Sequence, residues 1–187
     1  MEDGSDRRGK YRRFDDRRVA VLLALHEVLF DLPPGREREE LLLEKIRDDF
    51  AVGRAEMLRF DNPEPGRPPR LCAAAGTLDS AAAVREFDGP GAASLFELQR
   101  ANVGALTLTR FRRPSAFTDE AWASLWDHEL GLAVTALLSV ELAVQRAPKA
   151  LIWLLLENTS REWNSHDRQL AEEVARLLGR AADKAVG

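Results

Sequence analysis

The sequence predicts an α+β fold: a mixed or antiparallel sheet with helices from both ends of the chain packed on one face. Three observations carry this. Residues 150–158, Ala-Leu-Ile-Trp-Leu-Leu-Leu-Glu-Asn, form an apolar run of strand length closed by Asn158, Thr159 and Ser160, and a strand this apolar requires cover on both faces. Amphipathic helical patterns stand near the start of the chain and at its end. Between them lie short strand-like runs punctuated by proline and glycine.

Composition bounds the rest. A chain of 187 residues is long enough for one substantial core, so a single domain over 19–187 is expected. Hydrophobic residues at 45% and charged residues at 31% are the mix of a soluble globular protein, and a formal net charge of -4 gives no general attraction to nucleic acid or anionic lipid. No recognition helix or basic face recommends DNA binding. The one cysteine, Cys72, cannot form an internal disulfide. With no secretory signal and no apolar run near the ~20 residues of a spanning helix, a cytoplasmic location is expected.

In chain order, Met1 to Arg18 interleaves arginines with acids and shows no packing periodicity, which predicts a flexible charged tail. Val21, Leu25, Val28 and Leu32 make one stripe of a helix over Val19 to Leu32, widened by Leu22 and Leu29 and stopped by Pro33-Pro34-Gly35. A second helix over Glu37 to Phe50 turns Leu41, Leu42, Ile46 and Phe50 inward. Arg54 to Phe60 and Arg70 to Ala75 read as a hairpin whose proline-rich tip spans Asp61 to Pro69. Thr77 to Asn102 is weakly patterned, with a short helix over Ala92 to Arg100 after the Gly89-Pro90-Gly91 break. Gly104 to Phe111 alternates as a strand. Thr118 caps a short helix that carries Asp119 and Glu120 in its first turn, then Trp122, Leu125 and Trp126. Leu132 to Val144 admits a strand or a helix by periodicity; the turn at Gln145 to Lys149 and the apolar strand after it favour a hairpin. The last helix is capped by Asn164 or Ser165, has Asp167 in its first turn, and carries Leu170, Val174, Leu177 and Ala181 on one stripe.

Three stretches within this order resemble the GAF domain, a small-molecule-sensing and dimerising module of signalling proteins: "LLLEKIRDDFAVGRAEMLRFD" from Leu41, "LAVTALLSVEL" from Leu132, and "KALIWLLLENTSREWNSHDRQLAEEVARLLGRAA" from Lys149. Glu141 stands where that family usually has proline. The resemblance implies a central sheet with the first, second and last helices on one face and a short-helix lid on the other. A ligand pocket would lie under the lid, with Phe96, Leu106, Leu108, Arg110, Trp122, Trp126 and His128 as candidate lining.

Sharper chemistries find no motif. The Asn-Lys pair of cyclic-nucleotide-binding members is missing, and Phe117-Thr118-Asp119-Glu120 is only a fragment of their second motif. Cys72 lies in an expected strand rather than the lid, so bilin attachment is not expected, and a buried inert thiol is the better reading. A single cysteine cannot run the thiol exchange of methionine-sulfoxide-reducing members. His26, His128 and His166 show no metal-ligand spacing. His128 alone merits testing as an axial haem ligand, and a surface histidine is the stronger reading. Trp122 and Trp126, one helical turn apart, either wall a pocket or seal the core, and the core reading is preferred.

The expected function is a non-enzymatic regulatory sensor that binds a small molecule of unassigned identity and signals through the terminal helices of a homodimer. Leu22, Leu29, Leu178 and Ala182 are the candidate dimer contacts. The alternative is a ligand-free scaffold of the same fold acting through dimerisation and a signalling protein partner.

Overall fold

The computed structural model describes residues 4–60, 69–76, 87, 89–102, 104–144 and 147–186. In chain order it contains α1 (Gly4–Asp31), α2 (Arg36–Phe50), β1 (Arg54–Arg59), β2 (Arg70–Gly76), α3 (Pro90–Ala101), β3 (Leu106–Thr109), α4 (Asp119–Ser124), β4 (Val134–Val144), β5 (Ala147–Glu157) and α5 (Ser165–Val186), with α4 running into a π-helical turn over Leu125–Glu129. The strands form one sheet in the order β2-β1-β5-β4-β3, antiparallel at each pairing. The apolar run read first in the sequence is therefore the central strand.

Alternation along β5 divides the interior in two. Ile152, Leu154 and Leu156 enter a core shared with α1, α2 and α5, while Leu151, Trp153 and Leu155 enter a second core beneath α3, α4 and the π turn. Residues 150–156 are all buried, as a strand covered on both faces must be. The lid helices stand opposite the three long ones, as the resemblance implies. Among the described residues no helix is long and apolar enough to cross a membrane.

The helix face is held by stripes close to those expected. Val21, Leu25 and Val28 of α1 are buried with Leu42, Leu43, Ile46 and Phe50 of α2. On α5 the buried stripe is Leu170, Ala171, Val174, Ala175 and Leu178, while Leu177 is only partly covered. The rotation from the expected stripe follows from Gly179: a Cβ there would stand 2.6 Å from the Ala143 carbonyl oxygen, so α5 lies against β4 on its small-residue side. Asn164 is the cap of α5. Its Oδ1 accepts from the backbone N–H groups of His166 (2.8 Å) and Asp167 (3.0 Å), and its side-chain amide donates to Asp167 Oδ2 at 2.8 Å. Thr118 caps α4 as expected, accepting from the Ala121 N–H at 3.1 Å.

Several expectations change. Helix α1 begins at Gly4, so the boundary expected at residue 18 falls inside it. Over residues 14–18 the reason is tertiary. Phe14 packs on His166 with ring centroids 4.3 Å apart, Arg17 reaches Asp167 at 3.8 Å, and Arg18 pairs with Glu173, so α1 is docked on α5 by contacts that no local periodicity reports. β4 is a strand rather than a helix, and β5 begins at Ala147, so Pro148 lies within the strand. It sits opposite Ala143 beside a register shift, where a missing ladder donor is tolerated. Most of the expected tip, 61–68, and most of the weak stretch, 77–86, lie outside the described residues, as do 145–146 of the expected turn.

The approach of Gly179 to Ala143 gives a testable prediction. In an exposed helix Gly→Ala stabilises by about 1 kcal/mol. Here the added methyl meets backbone, and overpacking of this kind costs about 1–3 kcal/mol. Gly179→Ala is expected to lower the urea midpoint of unfolding, whereas a rise would show that α5 slides off β4 without cost.

Candidate functional site

The lid face of the sheet carries the polar groups that need explaining. One row across the sheet runs Leu106, Ser139, Trp153, Glu56, each residue the cross-strand partner of the next. Because cross-strand partners share a face, all four point under the lid. Arg54, two residues before Glu56, joins them. Trp153 is the centre of this layer: Phe87 meets it edge-on at 5.0 Å and Phe96 of α3 stacks on it at 6.1 Å. Gln99 follows Phe96 by one turn.

Four polar side chains here are nine-tenths or more buried: Ser139 at 0%, Glu56 at 1%, Gln99 at 4% and Arg54 at 5% exposure. Arg54 is satisfied. Its Nε lies 3.0 Å from Glu56 Oε1 and 3.7 Å from Glu157 Oε1, and its Nη2 donates to the Leu130 carbonyl at 2.6 Å. The charge pair thus ties β1 to the end of the π turn. Ser139 Oγ, Trp153 Nε1 and Gln99 Oε1 have no hydrogen-bond partner among the described residues. The Gln99 amide nitrogen reaches only the Gly104 carbonyl, at 3.5 Å. A surface cleft of about 430 Å³ opens beside Gln99, between the end of α3, the β4 segment at Glu141 and α5 at Glu172 and Arg176.

The residues expected to line a pocket are brought to this side of the sheet, but most are packing. Phe96, Leu106, Leu108 and Trp126 are buried within the second core. Trp122 is half-buried, packs edge-on against Trp126 at 5.3 Å and donates its Nε1–H to the Arg110 carbonyl at 3.2 Å. Arg110 is half-buried, pairs with Asp127 and donates to the Leu132 carbonyl at 3.1 Å. His128 is exposed on the π turn. Trp126 is thus packed within the second core, and its Nε1, like that of Trp153, has no hydrogen-bond partner among the described residues. Arg54, Glu56, Gln99, Ser139 and Trp153 were not expected in the site. The available signal was a polar residue inside a strand buried on both faces: Ser139 within an apolar run, and Arg54 and Glu56 alternating with Ala55 and Met57.

The expected dimer contacts are buried or partly buried within the chain. Leu178 is 5% exposed and belongs to the helix-face core, while Leu22, Leu29 and Ala182 are partly buried against it. Helix α1 uses its wide apolar surface mostly within the chain. What it leaves open is Val19, Leu23 and Phe30, at 55%, 58% and 75% exposure. Cys72 is half-buried in β2, its S–H donates to the Met57 carbonyl at 3.1 Å, and burial pushes the thiol up to about 11. The thiol expected to be buried and inert is thus half-buried, with its proton held by that burial. Among the described residues no group of three or more histidine, cysteine, aspartate or glutamate side chains is placed to hold a metal ion.

Two predictions arise here. Arg54→Met leaves Glu56 charged in the core and is expected to cost about 3–5 kcal/mol, most of it recovered in Arg54→Met/Glu56→Leu; urea unfolding of the two variants tests this. A thiol whose folded value is raised stabilises the fold fully below the unfolded value near 8.5, and that contribution is lost as pH rises through about 11. Cys72 in the native protein is therefore expected to react with Ellman's reagent at pH 8.5 far more slowly than after unfolding, and equal rates would contradict its burial.

No family model and no curated protein matches the sequence. Solved structures do match the fold. The phycoerythrobilin-bound GAF domain of a cyanobacterial phytochrome superposes with a TM-score of 0.70 at 8% identity, covering 92% of this chain and 97% of that one. The GAF domain of an Acinetobacter phosphoenolpyruvate-protein phosphotransferase gives 0.63 at 10% identity over 90% and 94%. The GAF domain of A. aeolicus nlh2 in an inactive state gives 0.62 at 15% identity over 91% and 98%. With its antiparallel sheet, three helices on one face and lid on the other, this chain has the GAF fold.

Proposed function

We propose that the chain is a non-enzymatic regulatory domain that binds a small molecule noncovalently between sheet and lid and passes the bound state to the terminal helices of a cytoplasmic homodimer. The observation that carries the reading is the unpartnered set of Ser139 Oγ, Trp153 Nε1 and Gln99 Oε1 under the lid. Leaving a buried donor or acceptor unmade costs about 1–3 kcal/mol each, and a ligand that supplies the missing partners recovers it. Its donors would meet Gln99 and its acceptors Trp153, with Ser139 serving either. The cleft beside Gln99 is the route in. A neighbour of this fold is a phycoerythrobilin-bound domain, which supports small-molecule binding as a use of the architecture. The placement of Cys72 in β2 supports noncovalent binding here.

Transmission follows the packing. Glu172 of α5 accepts from the Ala105 N–H at 2.9 Å and also lines the cleft, and α5 is tied to α1 through Asp167 and Glu173. A ligand that displaces the end of α3 would change the seating of α5. Val19, Leu23 and Phe30 recur at intervals of four and seven along α1 and give the dimer an apolar seam.

One observation favours the scaffold reading: Phe87 and Phe96 already fill the space against Trp153. Native mass spectrometry on the protein as purified separates the two. The sensor reading predicts a reproducible added mass that leaves on denaturation and is lost in Ser139→Ala/Trp153→Phe, whereas a bare dimer supports the scaffold. Light scattering at roughly 30 μM, a concentration suited to a micromolar dimer, is expected to show a dimer for the wild type and a monomer for Leu23→Glu/Phe30→Glu. A wild-type monomer removes the seam from the account.

A further inference from the structure

We propose a second binding site, on the helix face of the sheet and separate from the lid-face site, that takes a single-chain amphiphile bearing one carboxylate. A half-open cleft of about 320 Å³ lies between the helices and the sheet, where β1 ends and β5 begins. Its wall is contributed by Leu29 of α1, Leu42 of α2, Met57 of β1, Leu142 of β4, and Ala150 and Leu178. The small side chains of Ala181 and Ala182 leave the space open on the α5 side. The volume is at the lower end of small-molecule pockets and its walls are mainly apolar, which suits one alkyl chain rather than a polar metabolite.

The charges at its rim select the sign of the head group. Arg38, Arg59 and Lys149 line the cavity against one carboxylate, Glu39, and Glu39 is already held by Arg59. Arg38 is left short of acceptors: its Nε is buried without a hydrogen-bond partner among the described residues, and its Nη1 reaches only the Leu32 carbonyl, at 3.5 Å. Lys149 is exposed, with no carboxylate partner among the described residues. Arg38 as a residue is half-buried, but a buried guanidinium N–H without an acceptor is costly, and an anion at the rim would relieve it. An apolar cleft with an unpartnered guanidinium Nε–H at its rim and a free ammonium beside it is complementary to a fatty-acid-like anion, the alkyl chain inside and the carboxylate between Arg38 and Lys149. Because α1, α2 and α5 all contribute walls, occupancy would also bear on how the terminal helices pack.

The test uses sodium dodecanoate below its micelle concentration, with 1-dodecanol as the uncharged counterpart, followed by calorimetry and by proton–nitrogen resonances. Saturable one-to-one binding of dodecanoate is expected, at least tenfold tighter than that of dodecanol, with movement of the Arg38 Nε–H resonance. Arg38→Gln is expected to weaken binding at least tenfold, and Ala182→Phe, which fills the chamber, to abolish it; circular dichroism checks that each variant is folded. Binding that does not saturate, that favours dodecanol equally or that survives both substitutions overturns the proposal. Movement of the Trp153 indole resonance with Arg38 unmoved also overturns it, by placing the amphiphile under the lid, and leaves the lid-face reading standing.

Discussion

The fold depends on β5 being covered from both sides. A central strand whose residues 150–156 are all buried cannot lie at an edge or face water, so two separate layers must be built against it. Ile152, Leu154 and Leu156 fix one layer, and Leu151, Trp153 and Leu155 fix the other. The division of labour follows. The helix layer is packed with aliphatic side chains and clamped to α1 by ion pairs. The lid layer is built around one tryptophan and takes in Arg54, Glu56, Gln99 and Ser139, and it is the layer where polar chemistry sits in a low-dielectric setting.

That asymmetry separates the groups serving stability from those available for recognition. Arg54 is paired and hydrogen-bonded, and it ties the sheet to the carbonyl that follows the π turn. Ser139 Oγ, Trp153 Nε1 and Gln99 Oε1 contribute no such link. A buried polar group that holds nothing together is a liability for folding and therefore the place to look for function. Arg38 stands in a similar relation to the helix layer, its Nε unpartnered at the rim of an apolar cleft.

The architecture was legible where local pattern and tertiary demand agree. The two-sided burial of β5, the caps at Thr118 and Asn164 and the break at Pro33 all follow from spacing and side-chain chemistry. The continuation of α1 through residues 14–18 was not legible, because what docks it is Phe14 on His166 and Arg18 on Glu173, residues more than 150 positions apart. The site was legible only by face. Phe96, Leu106, Leu108 and Trp126 lie on the lid side, yet their apolar character makes them core, whereas the polar residues that distinguish the site sit in strands where alternation alone names neither layer. Leu22 and Leu29, expected as dimer contacts, are partly buried against their own core, because the widest apolar surface of a helix does not show which part its own chain consumes.

The central claim is that Ser139, Trp153 and Gln99 await a partner from outside the chain. A crystal structure of the protein as purified, resolved well enough to place ordered solvent, tests it most directly. The account predicts non-protein density within hydrogen-bond distance of all three side chains. Pairing of these groups with one another or with other protein atoms, leaving no space between them, would contradict it.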